Sequence, residues 1–170
     1  MTQARSNEFD RFRPRIRDAR DDDAAGLIAL IDATFSEYPG CVLELEHEMP
    51  QLKAIATAFA ELGGRFWSAE LDGVIVGCGG IAPAHDPSGV ELKHLYVSKK
   101  VRRAGLGTAF VRLVEAEAVR RHAAFVELWS DTRFLDAHRL YEGLGYTRLP
   151  DSRELDDLSN SVEYHFIKRL

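Results

Sequence analysis

The chain has 170 residues, 45% of them hydrophobic and 29% charged, and a net charge of −5. That size and balance predict one globular domain with its own core and exclude an intrinsically disordered chain. The acidic balance (pI near 5.7) speaks against generic nucleic-acid affinity. The longest nearly uncharged run, Gly73 to Pro83, falls short of the roughly 20 apolar residues of a membrane span, so no membrane partner is expected.

Residues 1–14 are polar and arginine-bearing and end at Pro14, which predicts a leader ahead of a domain over residues 15–170. The leader has no apolar segment of the secretory type, and Cys41 and Cys78 do not make a disulfide framework, so a reducing cytoplasmic setting is expected. A short strand is predicted over Arg15 to Ala19. Asp21, Asp22 and Asp23 then precede Leu27, Ile28, Leu30 and Ile31, as suits a helix N-terminus, where negative charge meets the positive end of the dipole. Tyr38-Pro39-Gly40 ends that helix. A second is predicted from about Pro50 to Leu62 and is stopped by Gly63-Gly64.

Three strand signals follow. Arg65 to Glu70 and Val74 to Ala82 are joined through Asp72-Gly73, a strong hairpin turn, and Gly89 to Ser98 reads as a longer third strand. Over Arg103 to Arg121, Leu106, Phe110, Leu113, Val114 and Glu117 recur near helical spacing, with Arg112, Glu115 and Arg120 left for the wet side. Phe125 to Trp129 is a short strand, and Asp136 to Leu144 is a helix stopped by Gly145. Tyr146 to Leu149 and Val162 to Lys168 are the last two strands. The order predicts an α+β (mixed α/β) layout around one central sheet.

The chemistry-bearing stretch is Glu91 to Gly107, where a strand runs through a basic turn into an amphipathic helix. Helix propensity would not place Gly105 and Gly107 at a helix start, but close approach of a ligand to the backbone would. Unpaired N–H groups and the dipole make that helix end an anion site. Lys99, Lys100, Arg102 and Arg103 put four positive charges into five residues of an acidic protein. Together these features predict a polyphosphate ligand. Gly105-Leu106-Gly107-Thr108 lacks the lysine of a P-loop, and Phe110 stands where the dinucleotide fingerprint requires Gly or Ala. No His/Cys cluster has metal-ligand spacing, so no metal is expected.

Arg102-Arg103-Ala104-Gly105-Leu106-Gly107 resembles the Arg/Gln-x-x-Gly-x-Gly/Ala signature of the GCN5-related N-acetyltransferase (GNAT) superfamily. Ala137 to Tyr146 resembles that superfamily's Ala-x-x-x-Tyr-x-x-x-Gly-Phe/Tyr segment. The resemblance spans roughly residues 15–168. It implies the GNAT fold, a mostly antiparallel central sheet splayed into a V with helices on both faces. It also implies acetyl-CoA as acyl donor, its pantetheine pairing with Leu95, Tyr96 and Val97. The pyrophosphate would then lie on the turn Arg102, Arg103, Ala104, Gly105, Leu106, Gly107 and Thr108.

The implied reaction is attack of a primary amine, small or peptidic, on the thioester. By resemblance Tyr141 is the acid that protonates the departing sulfur. On the helix pattern alone, Tyr141 is equally an apolar-stripe residue. Glu91 is the first choice for the base, with His94, Glu127 and a chain of waters as alternatives. Strict alternation would put Glu91, Lys93, Leu95 and Val97 on one face, unless a bulge breaks the parity. Where many members carry an asparagine this chain has Ser130-Asp131-Thr132-Arg133, which suggests a turn role for Asp131 and a phosphate role for Arg133. A catalytically silent acyl-CoA sensor is the alternative function. Homodimers are common in the superfamily and compatible with this chain. Two acidic segments, Glu37 to Glu48 and Asp151 to Asp157, are expected to rim the acceptor side and steer a cationic amine.

Overall fold

The computed structural model describes residues 13–170, so the expected leader lies, up to residue 12, outside the described residues. Seven strands form one sheet in the order β1-β2-β3-β4-β5-β7-β6. They are β1 (Arg15–Asp18), β2 (Arg65–Leu71), β3 (Val74–Pro83), β4 (Gly89–Val97), β5 (Phe125–Asp131), β6 (Thr147–Glu154) and β7 (Val162–Arg169). The helices are α1 (Ala24–Phe35), α2 (Ile55–Glu61), α3 (Leu106–Arg120) and α4 (Leu135–Gly143). Every strand pairing is antiparallel except β4 with β5.

Around β2 the sheet is buried on both faces, as alternation along that strand requires. Phe66 joins a core with Leu27, Ile31, Phe35, Leu52, Ile55 and Phe59 beneath α1 and α2. Trp67 and Ala69 join the other core, with Leu106, Phe110, Val111, Val114 and Tyr141 beneath α3 and α4. The hairpin turn takes the backbone that its sequence favours, with Asp72 at φ +50° and Gly73 at +79°.

The parallel pairing of β4 with β5 sets up the site. It lasts only from Gly89, Val90 and Glu91 opposite Phe125, Val126 and Glu127. Beyond Glu91 the two strands diverge, and the β5-facing edge of β4 has no strand partner as far as Val97. This is the V that the superfamily resemblance implies.

Four expectations need correction. The second helix is split, with a 3₁₀ turn over Pro50–Ala54 before α2, because Pro50 starts it and no capping side chain holds Ala54. The third helix begins at Leu106, since Gly105 at φ +81° and Arg103 at φ +64° cannot continue a right-handed helix backwards. Glu115, assigned to the wet side, is buried and satisfied by Lys168 at 2.8 Å and Arg112 at 2.6 Å. The sixth strand runs on to Glu154, twice its expected length, because a bulge after Arg148 absorbs Pro150 without ending the pairing. Among the described residues, no helix is long and apolar enough to cross a membrane and no cluster of His, Cys, Asp or Glu could hold a metal.

Candidate active site

A cavity of about 530 Å³ opens where β4 and β5 separate. Its walls include Leu95, Tyr96, Val97, Arg102, Arg103, Gly105, Leu106, Gly107, Thr108 and Tyr141, which brings together all but two of the residues expected at the site. The two outside the cavity wall are Ala104, within the turn, and Glu91. Thr34 and Tyr38 from α1 and its exit, and Phe134, Asp136, Ala137, Arg139 and Leu140 around α4, complete the walls.

The helix N-terminus is open toward this space. The Ala109 N–H bonds to Gly105 O at 2.9 Å, and the preceding amides of Leu106, Gly107 and Thr108 have no acceptor within the helix. Gly105 and Gly107 serve different ends. A Cβ at Gly105 would meet nothing within 4 Å, so only its left-handed φ requires glycine. A Cβ at Gly107 would lie 3.0 Å from Leu140 Cδ2, so that glycine lets α4 pack close.

The basic cluster divides. Lys99 and Lys100 occupy a 3₁₀ turn and line a different hollow, beside Gly26 and Ala29 of α1. Arg102 walls the cavity, but its guanidinium donates from Nη1 and Nη2 to both oxygens of Glu37 (2.6 and 2.9 Å) and from Nε to Val97 O (2.9 Å). It therefore clamps the end of β4 to the segment leaving α1. Arg103 is exposed at the turn.

The catalytic candidates lie on different faces of the sheet. In β4, His94 has φ +54°, and Gly79 alone faces both His94 and Leu95 between the pairs Gly80–Lys93 and Cys78–Tyr96. This bulge breaks the alternation. Leu95 and Val97 pack on the α3 core, whereas Tyr96 packs on the α1 core. Val90 and Leu92 also belong to the α3 core, so Glu91 and Lys93 face the α1–α2 side, opposite Leu95. Glu91 accepts a hydrogen bond from Lys93 Nζ at 3.0 Å. The His94 ring lies against Phe59 and Phe66, and burial pushes its pKa down to about 4; its Nε2 is 3.2 Å from Gln51 Nε2.

Tyr141 is 4% exposed, and its ring lies 5.7 Å from Phe166. Burial raises its pKa, so the phenol stays protonated at neutral pH. It packs in the α3 core and also walls the cavity. Asp131 forms a turn by accepting the Arg133 N–H at 2.8 Å, and the Arg133 guanidinium is held by the same carboxylate at 2.8 and 2.7 Å. Neither residue lines the cavity.

The acidic segments hold less free charge than their sequence implies. Glu37 is bound to Arg102, Glu44 to His47, Glu46 to Lys53, and Asp151 to His165. The two segments dock together: Ser159 Oγ accepts the Val42 N–H (2.9 Å) and donates to Val42 O (3.1 Å). Only long-range contacts reveal the Glu37–Arg102 clamp and the bridging His165; no local motif marks them.

The comparisons agree with this geometry. The family model "Acetyltransferase (GNAT) family" matches residues 27–146. Human N-acetyltransferase 8 is 34% identical over 97 residues, covering 55% of this chain and 43% of its own length. Zebrafish (Danio rerio) N-acetylaspartate synthetase is 32% identical over 92 residues, covering 54% and 33% respectively. The chain thus spans less than half the length of these two relatives. Among solved structures, a GNAT-family acetyltransferase from Staphylococcus aureus superposes with TM-score 0.79 at 19% identity, covering 93% of this chain and 99% of that one. YncA of Salmonella typhimurium, described with its cofactor acetyl-CoA, superposes with TM-score 0.73 at 18% identity, covering 93% and 94%. With its forked sheet, its open helix end and a family match over most of its length, the chain belongs to the acetyltransferase (GNAT) family.

Proposed function

We propose that the protein is an N-acetyltransferase that moves the acetyl group of acetyl-CoA to a primary amine. The observation that carries this reading is one continuous surface. The unpartnered edge of β4 beyond Glu91 leads straight to the free amides at the start of α3, with Tyr141 on the facing wall. An extended amide-bearing arm can add to such an edge as a further strand, and a pyrophosphate suits the helix end. Leu95, Tyr96 and Val97 would hold the arm. Arg102, Arg103, Ala104, Gly105, Leu106, Gly107 and Thr108 would form the phosphate turn, with the Arg102 side chain bracing β4 rather than contacting phosphate. YncA, described with acetyl-CoA, and a Thermoplasma acidophilum N-acetyltransferase, described with coenzyme A, have the same fold and support the choice of donor.

The bond made is amine nitrogen to acetyl carbon and the bond broken is carbon to sulfur. The chain's residues would manage the two protons. Glu91, on the α1–α2 face, would take the ammonium proton, the protonated phenol of Tyr141 would supply one to the departing sulfur, and the second nitrogen proton, lost as the amide forms, would restore that phenol. The acceptor would be a small amine or peptide amine. The resemblance to N-acetylaspartate synthetase makes amino acids a first group to screen.

The test is release of free thiol from acetyl-CoA across an amine library, beside calorimetric binding of acetyl-CoA, ATP and NAD. Binding of acetyl-CoA alone with thiol release supports transfer. Tight binding without release for any amine would favour the silent acyl-CoA sensor.

A further inference from the structure

A polar network outside the cavity lies on the open face of β5, β7 and β6. His165 of β7 uses both ring nitrogens: Nε2 is 3.0 Å from Glu127 Oε2, and Nδ1 is 2.8 Å from Asp151 Oδ2. Its ring is stacked on Trp129 at 4.2 Å and 8°, and the Arg153 guanidinium also lies on Trp129, at 4.4 Å. Arg153 is held in turn by Glu163 at 2.6 Å. The β6 bulge builds this arrangement. Leu149, Pro150 and Asp151 all stand opposite His165, because Arg148 pairs with Phe166 and Ser152 with Tyr164.

Glu127 is the in-register neighbour of Glu91 across the last pair before the fork, so both carboxylates stand on one face. Neighbouring strands lie about 4.8 Å apart, so the two side chains leave the sheet side by side. Glu91 and Glu127 are 15% and 14% exposed and His165 12%, whereas Asp151 is 50% exposed. The groups therefore form a line from the fork to solvent. The other charges facing it are Lys93 on Glu91, and Arg153 and Glu163 beyond Trp129.

We propose that His165, held between Glu127 and Asp151, is a positioning residue that carries away the proton lost by the acceptor amine. This rests on the acetyl-transfer reading. The ammonium N–H bond breaks as an O–H bond forms on Glu91, and the proton passes to Glu127. Glu127 gives it to Nε2 of His165, the Nδ1 proton leaves to Asp151, and Asp151 releases one to water. One proton enters and one departs, and a flip of the imidazole restores the Nδ1-protonated tautomer for the next turnover.

The test uses acetyl-CoA with two probe amines: benzylamine, which is cationic at neutral pH, and hydroxylamine, which is already neutral there. The variants are His165→Phe, which keeps a ring on Trp129, and Asp151→Asn, half-exposed and safe for folding should the first not fold. For benzylamine at pH 7, kcat/KM should fall about tenfold or more and recover as pH rises toward amine neutrality. For hydroxylamine it should stay within about twofold, with acetyl-CoA affinity unchanged. Equal losses with both amines, no loss with either, or a loss that does not recover with pH would overturn the relay. Should neither probe be an acceptor, the best amine of the library is assayed below and above its own pKa in their place. A wild type that releases no thiol with any amine of the library overturns the transferase reading, and the relay with it.

Discussion

Gly105 offers a sharp separation of backbone conformation from ligand binding. Its φ is +81°, and a Cβ there would meet nothing within 4 Å. Gly105→Ala should therefore cost only the left-handed backbone term, roughly 1–2 kcal/mol. For a chain of this length that lowers Tm by about 2–8 °C. Gly105→Asn, which tolerates this conformation better, should cost less. Gly105→Glu carries the same backbone term but also places a carboxylate beside the open amides of Leu106, Gly107 and Thr108. At about 5 Å from a doubly charged pyrophosphate, even water-like screening gives about 1.7 kcal/mol of repulsion. That corresponds to about 15-fold weaker acetyl-CoA binding. Calorimetry would measure the affinity, with thermal melting beside it to show that the variant is folded. A folded Gly105→Glu whose Kd is within threefold of wild type would refute the anion-site assignment.

Further perturbations test the other parts. Tyr141→Phe should leave acetyl-CoA binding intact while turnover drops by roughly 10²–10⁴, read by thiol release; an unaltered rate at every pH would leave Tyr141 as packing alone. Glu37→Gln frees the Arg102 clamp; a pair with side chains 22% and 30% exposed should contribute about 1 kcal/mol, and acetyl-CoA Kd should rise about fivefold as the end of β4 loosens. Unchanged binding in a folded Glu37→Gln would show that the clamp is irrelevant to the cavity. His94 supplies a pH dependence. Its folded pKa of about 4 lies below the unfolded value near 6.5, so the unfolded chain binds the extra proton between them and stability is lost as pH falls through that window. The loss is on the order of 1–3 kcal/mol. His94→Asn, which accepts the positive φ, should flatten urea-unfolding free energies between pH 6.5 and 4; an unchanged slope would show that His94 is not its source.

Local pattern carried most of the fold. Hydrophobic spacing marks α3 and α4, Asp72-Gly73 marks the hairpin, and the glycine turn marks the open N-terminal end of α3. What the sequence did not show depends on contacts distant along the chain. Glu115 reads as solvent-facing from its helical position, and its burial depends on Lys168, 53 residues on, beside the local Arg112. Arg102 reads as a phosphate ligand until Glu37, 65 residues away, claims its guanidinium. In the acidic segments Glu37 and Glu46 are neutralised in the same way, by Arg102 and Lys53. Glu91 is the subtler case. Its identity as the candidate base was legible, but its face was not, because parity along β4 depends on a single residue, His94, adopting φ +54°.

That bulge and three glycines opposite it account for how one strand serves two sides of the site. Before His94, β4 turns Glu91 and Lys93 toward α1 and α2; after it, Leu95 and Val97 face α3. An unbulged strand would put all four on one side, with the carboxylate beneath α3 and away from the face where an acceptor can approach. On β3, Gly80 leaves space for Phe59 and Phe66, to which a Cβ would come within 2.6 and 2.5 Å. Those are the rings that bury His94. On the opposite face a Cβ at Gly77 would lie 3.0 Å from both Leu106 and Phe110, and one at Gly79 would lie 3.3 Å from Phe110. Glycine at these positions lets the first turn of α3 sit directly on the sheet, which fixes its free amides at the end of the unpartnered β4 edge. Glycines that look like weak strand formers are thus the residues that set the position of the helix end relative to the fork. A side chain at Gly77 would push Leu106, and with it the first turn of α3, away from the end of β4.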